Sequence, residues 1–442
     1  MRTRHLPVAY AFEVPSYDVQ VDCHHGPARR LVIAYCFTPY VDTSGTVAAK
    51  RIRMRGEPVD VIQNAMDEIR EVDPGLDLLT EGLIRRRAVL PTPSRFSSWA
   101  SIEEWCTAGL AQVDRWVNTS RADGDVFPDG LPWNSMYSRS HFIASHFLAA
   151  LIKARYPQIE WEAELSDPCS ADATGGPRVA HANTDSDMYA ELVSIMWSAH
   201  QSPPESNNVF EWAEALTYAL ADEVVFTNAN QATYMQGRCD NASLRERLEG
   251  VSRVAHHPQL PERYYSMDRA PIELEPGTIH IAYFGNFYGK QSPVAAVLAM
   301  ADLEPELRAN VRLHLFTPKS ARLDELVTEL DVGDAVRVEP FLPFLQFLEI
   351  SRRMDILLVV DYPLPRGADI NPFLLSKWGD YRGSGTPVWG MLEETSVLST
   401  MSDPAMQFRT PVGHRSAAAQ LLSRLARAEI DVQRVRDFTR VD

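Results

Sequence analysis

The sequence predicts an α/β protein of two domains, each a parallel sheet wound by helices, with the two sheets facing a central cleft. Short apolar runs such as RLVI, IHIAYF and DILLVV are bounded by polar, Gly or Pro residues, as strands buried on both faces are. Segments of helical apolar spacing separate these runs, so the strands connect by crossovers and pair in parallel. The alternation stops at three prolines between residues 260 and 278 and then restarts, and 442 residues exceed one ordinary core.

Taken in order, residues 1–29 read as an irregular extension, and RLVIAYCFTPY (30–40) as a strand running into a loop at Thr-Pro. DTSGTVAAKRIRMRG follows as a helix with Thr43 or Ser44 as its cap. EPVDVIQNA (57–65) is the second strand, residues 66–95 lack a pattern, and a helix runs from about Ser101 to Asn118. WNSMYS then predicts a strand, HFIASHFLAALIKARY a helix, and IEWEAELSDP a strand stopped by Asp-Pro. The polar stretch 170–208 reads as a mobile loop holding a helix near 187–199. FEWAEALTYAL (helix), DEVVFTNA (strand), a helix near 229–248 and VSRVAHHP (strand) complete a first domain of residues 30–262.

Residues 263–278 read as the linker, and 279–442 as the second domain. There IHIAYFG, VRLHLFT, AVRVEPF, DILLVV and TPVWG are strands. SPVAAVLAMADL, ARLDELVTEL, LQFLEISRRM and the segment starting at Asn371 are the helices between them. SAAAQLLSRLARAEI closes the chain as a helix free to pack back on the first domain.

Composition removes several classes of function. With 59 acidic and 43 basic residues, a net charge of −16 argues against a general nucleic-acid binder. The five cysteines (Cys23, Cys36, Cys106, Cys169, Cys239) are scattered, without a CxxC pair or Cys/His cluster. Neither a zinc site nor a disulfide framework follows, and a reducing cytosol suits them. No run approaches the ~18–20 apolar residues that span a bilayer, and MRTRHLPVAYAFEVPSYDVQ lacks the pattern of a signal peptide. The expected setting is cytoplasmic, with contact at the inner face of a membrane and the oligomeric state both left open.

Two loops carry the chemistry. No strand is followed by GxGxxG and no GxxxxGK[ST] occurs, which sets aside hydride transfer and P-loop hydrolysis. GNFYGKQSP (285–293) follows a buried strand and precedes a helix with Ser292 as cap and Pro293 at its first position. Lys290 then lies at the ligand edge of the sheet, where a cation beside helix amides suits a diphosphate; a solvated surface lysine would show the same pattern. In DINPFLLSKWGDYRGSGTPVWG (369–390), Asn371 caps a helix that aims the amides of Phe373 and Leu374 at the cleft. Asp380, seven residues past Phe373, shares that helix face, and its carboxylate can accept from the vicinal hydroxyls of a ribose. Lys377, three residues before Asp380, equally fits a surface ion pair.

Residues 277–398 resemble the C-terminal, donor-binding domain of GT-B glycosyltransferases, and specifically glycosyltransferase family 4. The likeness rests on FGNFYGKQSP, DAVRVEPFLPFLQFLEISRRMDILLVV and NPFLLSKWGDYRGSGTPV. The last is similar to the family's pair of acidic residues separated by seven others and the turn that follows. The resemblance implies a GT-B fold of two Rossmann-like domains, with Asp380 on the ribose and Lys290 on the diphosphate. It sets Gly285, Asn286, Asn371, Phe373, Leu374 and Lys377 around the donor.

RLVIAYCFTPYVDTSGTVAAKRI and WNSMYSRSHFIASHFLAALIKARYPQIEWEAELSDP are similar to the acceptor domain. They imply that Asp167 lies near the catalytic cleft and that Asp167, His141, Ser44, Gly45 and Thr46 position the acceptor or the transferred sugar. The implied activity moves a sugar from a nucleotide diphosphate sugar to a glycan, lipid-linked or small-molecule acceptor, with retention of configuration. The donor is a substrate, and neither a cofactor nor a metal is implied. Two positions depart from the family: Pro372 stands at the first acidic position, and Asn286 where an arginine is frequent. A nucleotide-sugar epimerase of the same fold and a non-catalytic nucleotide-binding protein therefore remain alternatives.

Overall fold

Residues 30–286 and 292–439 are described by a computed structural model. The first domain contains β1 (Arg30–Ile33), β2 (Val59–Asn64), β3 (Ile84–Leu90), β4 (Ser135–Ser140), β5 (Glu160–Leu165), β6 (Glu223–Phe226) and β7 (Ser252–Val254). They form one sheet in the order β3-β2-β1-β4-β5-β6-β7. The second domain contains β8 (Ile279–Phe284), β9 (Val311–Phe316), β10 (Val336–Glu339), β11 (Ile356–Val360), β12 (Val388–Leu392) and β13 (Met406–Pro411). Their order is β10-β9-β8-β11-β12-β13. Every pairing is parallel. In both sheets the order reverses beside the first strand, between β1 and β4 and between β8 and β11. That is where a crevice opens beyond the carboxyl ends of the strands.

Several elements differ from the sequence expectation, each for a visible reason. The patternless stretch 66–95 holds a 3-10 turn (Pro74–Thr80) and β3. Three consecutive arginines hide that strand, yet Arg86 is buried: it donates to Asp60 and Ser120 and stacks over Trp116 at 4.9 Å. The helix Thr43–Arg55 is capped by Asp42, not by Thr43 or Ser44; Asp42 Oδ1 accepts from the amides of Ser44 (2.9 Å) and Gly45 (3.1 Å). The stretch 229–248 is two helices, Ala229–Gly237 and Ala242–Val251, the second capped by Asn241.

The helix expected from Asn371 starts only at Lys377 and ends at Ser384. Asn371 Oδ1 does accept from the Phe373 amide at 3.1 Å, as a cap would. The carbonyls of Asn371, Pro372 and Leu374, however, accept from Asn230, Asn228 and His257 of the first domain. Carbonyls engaged in that way are not available to an i→i−4 ladder. The closing helices stay on the second domain. Arg415–Ala426 buries Ala418, Leu422 and Leu425, while in Val432–Thr439 Arg436 donates to Asp355 (3.0 Å) and Thr439 to the Gly385 carbonyl (3.0 Å).

The two domains share one apolar cluster. Val32, Ala48, Ile52 and Leu79 of the first pack through Tyr264 and Tyr265 of the connecting segment onto Leu348, Trp378 and Val388 of the second. Among the described residues, no helix is long and apolar enough to cross a membrane.

Candidate functional site

The two carboxyl edges enclose a cleft of about 1020 Å³. Its first-domain wall rests on a buried charge network at the ends of β4 and β5. Glu164, fully buried, accepts from Arg51 Nε (3.1 Å) and Nη2 (3.0 Å) and from the Tyr137 hydroxyl, and pairs with Arg139. Burial alone would raise the Glu164 carboxyl; the Arg139 and Arg51 guanidiniums overrule it and hold it well below the carboxylate range. Arg139 is thereby fixed in the cleft wall with a buried Nε that has no hydrogen-bond partner among the described residues.

Asp167 follows β5 in the Asp-Pro turn and faces the cleft. It accepts no hydrogen bond from a described residue, and burial raises its carboxyl against the pull of His141, Arg178 and Arg139. His141 and Ser44 line the same wall. His257 closes it from behind: its Nε2 donates to the Leu374 carbonyl at 3.1 Å. Burial, with Arg139 nearby, pushes that imidazole down to about 3, so the ring is neutral and Nδ1 keeps a lone pair without a partner among the described residues.

Across the cleft stand Gly285, Asn286, Phe373, Leu374 and Lys377. Lys377 is the first residue of its helix, and its Nζ has no hydrogen-bond or ion-pair partner among the described residues. Burial lowers its ammonium, Asp380 raises it and Lys50 lowers it. The Gly285 amide donates to the Phe316 carbonyl (3.0 Å), and the Asn286 carbonyl accepts from the Tyr283 hydroxyl (3.0 Å). At the mouth, Asp172 Oδ1 braces a tight turn by accepting from Thr174 and Gly176. The Thr174 carbonyl of that turn accepts from the Arg366 amide at 2.9 Å, bridging the cleft.

Other expected site residues lie elsewhere. Asp380, the residue implied for the ribose, is 4% exposed and does not line the cleft. Its Oδ1 accepts from Lys50 Nζ of the first domain at 2.8 Å, so the carboxylate is already engaged. Asn371 is buried, with its Nδ2 donating to the Tyr362 carbonyl. Ser44, Gly45 and Thr46, in the first turn of the helix Thr43–Arg55, do not offer amides to a phosphate. The Ser44 and Gly45 amides go to Asp42, Thr46 Oγ1 donates to the Asp42 carbonyl (2.8 Å), and a Cβ on Gly45 would meet the Cys36 carbonyl at 3.0 Å. Lys290 lies outside the described residues.

Sequence reasoning passed over Arg139, His257 and Lys50. For Arg139 a signal existed, a single cation at the end of the strand-like SMYSRS. For Lys50 none did, because its partner lies 330 residues away. Among the described residues, no group of three or more His, Cys, Asp or Glu could hold a metal ion.

No family model matches this chain, and no curated protein matches it. Solved structures do. The chain is similar to sucrose-phosphate synthase from Thermosynechococcus elongatus, with a TM-score of 0.53 and 14% identity over 93% of this chain and 92% of that one. It is similar to the catalytic domain of starch synthase IV from Arabidopsis thaliana bound to ADP and acarbose (TM-score 0.57, 11% identity, 94% and 96% covered). A third is a trehalose-6-phosphate structure from E. coli bound with UDP-2-fluoro glucose (TM-score 0.50, 10% identity, 93% and 99% covered). The fold is the GT-B fold, two Rossmann-like domains around a cleft.

Proposed function

We propose that this protein transfers a sugar from a nucleotide diphosphate sugar to an acceptor held by its first domain. The observation that carries the reading is Lys377, a cation without a partner among the described residues, set in the cleft wall across from Asp167 and His141. Proteins of this fold bound to ADP or to a UDP-sugar analogue support a nucleotide donor.

In such a transfer the bond between the anomeric carbon and the diphosphate oxygen breaks. The acceptor hydroxyl oxygen takes that carbon, and its proton ends on the departing diphosphate. Negative charge grows on the leaving group, so a fixed cation in a poorly hydrated wall stabilises the transition state more than the ground state. Lys377 takes this role together with Lys290. Asp167 holds hydroxyls of the transferred sugar, while His141, Arg139 and Ser44 orient the acceptor. Following the family resemblance, we assign the transfer retention of configuration.

Calorimetric titration with UDP, ADP and GDP, followed by release assays on the corresponding nucleotide sugars, tests the proposal. At least one nucleotide binds and its sugar is turned over. Lys377→Ala weakens that binding roughly 10- to 100-fold, the worth of one charged hydrogen bond. Absence of binding by all three, or an unaltered Kd in Lys377→Ala, overturns the proposal. Pro372 and the engaged Asp380 favour the second reading, a nucleotide-binding protein without turnover. Binding with no release from any donor would select it.

A further inference from the structure

The buried pair between Lys50 and Asp380 joins the two domains, one helical turn from Lys377 in the cleft wall. Lys50 projects from the helix Thr43–Arg55 and is 1% exposed; its ammonium sits 2.8 Å from Asp380 Oδ1 and over the Phe344 ring at 5.7 Å. A carboxylate at this depth requires a cation. Among the described residues, the cations that act on Asp380 are Lys50 and Lys377, and Lys377 lies one turn earlier on the same helix, facing the cleft. Two lysines share one carboxylate, and of the two it is Lys377 that lines the cleft.

Resting on the nucleotide-sugar reading above, we infer that Lys50 is a positioning residue for the donor diphosphate: by occupying Asp380, it leaves Lys377 free to receive the anion. Without Lys50, the remaining cation for Asp380 is Lys377, and the pair they form cancels the charge that faces the cleft. Asp380 is then a charge balance for the two lysines, not a ligand of the ribose. Because Lys50 and Lys377 belong to different domains, the diphosphate site is complete only while the domains are packed together.

The test compares affinities at pH 8 for inorganic pyrophosphate and for whichever of UDP, ADP and GDP the wild type binds. Lys50→Met weakens both ligands about tenfold. Asp380→Asn binds both at least as tightly as wild type, and Lys50→Met/Asp380→Asn returns to within about threefold of it. An unchanged Kd in Lys50→Met overturns the inference. So does failure of the double variant to recover, which marks Lys50 as merely structural. Loss of nucleotide but not pyrophosphate binding in Asp380→Asn overturns it too, because Asp380 would then hold the ribose. If Lys50→Met does not fold by circular dichroism, Asp380→Asn and the double variant decide, and weaker binding by either counts against the inference. Failure of the nucleotide-sugar reading looks different: the wild type binds no nucleotide, or Lys377→Ala changes nothing.

Discussion

Asp361, just past β11, shows how far the interior moves a single carboxyl. It is 3% exposed, and burial raises it to about 7, although the Ser396 hydroxyl and the Glu393 amide donate to Oδ2 and pull it down. The folded value lies above the unfolded one, so the folded state holds this proton more tightly. Its contribution to stability is complete below about pH 4 and is lost as pH rises through about 7, on the order of 1 kcal/mol per pH unit. Asp361→Asn keeps an oxygen for both donors, and its urea midpoint therefore changes less between pH 5 and 8 than that of wild type. Equal slopes would contradict this. Glu164 has the opposite sign: its carboxyl is held low, so its contribution is present above the unfolded carboxylate value and is lost as pH falls below it. Glu164→Gln takes from Arg51 and Arg139 the buried carboxylate both pair with, and denaturant unfolding should register a loss of about 3–5 kcal/mol.

At the scale of the element, the helix Lys377–Ser384 owes its position to two glycines one turn apart. A Cβ on Gly379 would meet the Pro258 carbonyl oxygen at 2.8 Å, and one on Gly383 would meet the Tyr265 hydroxyl at 2.0 Å. The helix thus rests directly on the connecting backbone, and Tyr265 donates to the Asp380 carbonyl at 2.9 Å. Alanine at either site costs about 1–3 kcal/mol by overpacking, against a gain of up to about 1 kcal/mol in helix propensity. Adding Tyr265→Phe recovers part of the loss in Gly383→Ala and none in Gly379→Ala, where the obstacle is backbone; melting temperatures of the four variants check this.

The same helix marks the limit of what the sequence makes legible. Its end is written locally, in Gly385 with φ of 67° and the strand that follows. Its start is not, because Asn-Pro signals a cap while the hydrogen bonds that decide the matter come from Asn228, Asn230 and His257, more than a hundred residues away. Strands such as β8 and β11 announce themselves by unbroken apolar runs between polar turns. β3, with its arginines, and β13, an edge strand paired on one side, do not. The cleft follows a similar rule. Loops at strand ends can be placed from sequence, and Ser44, His141, Asp167, Gly285, Asn286, Phe373, Leu374 and Lys377 all line it. Which charges remain open there depends on pairings between distant segments, and those have no local signature.

For the whole molecule, the polar seam beside the shared apolar cluster sets how firmly the domains hold each other. Asn230 Nδ2 donates to the carbonyls of Asn371 (3.0 Å) and Thr395 (2.8 Å), and the Phe344 amide donates to Asp73 Oδ2 (2.7 Å). Asn230→Ala releases two carbonyls of the second domain but none of the shared apolar contacts. Hydrogen exchange therefore quickens in residues 369–376 and 393–396, while the melting temperature falls by only a few degrees. A large global loss, or no local change, would show that the seam works otherwise. The pair between Lys50 and Asp380 also bears on how the chain is made. At about 5–20 residues per second, a ribosome needs roughly 16–66 s to add the 330 residues that separate the two. Throughout that interval the ammonium that ends up buried has no counter-ion and must stay in water, so the first domain leaves the ribosome with an unfinished, hydrated face that only the last fifth of the chain can seal.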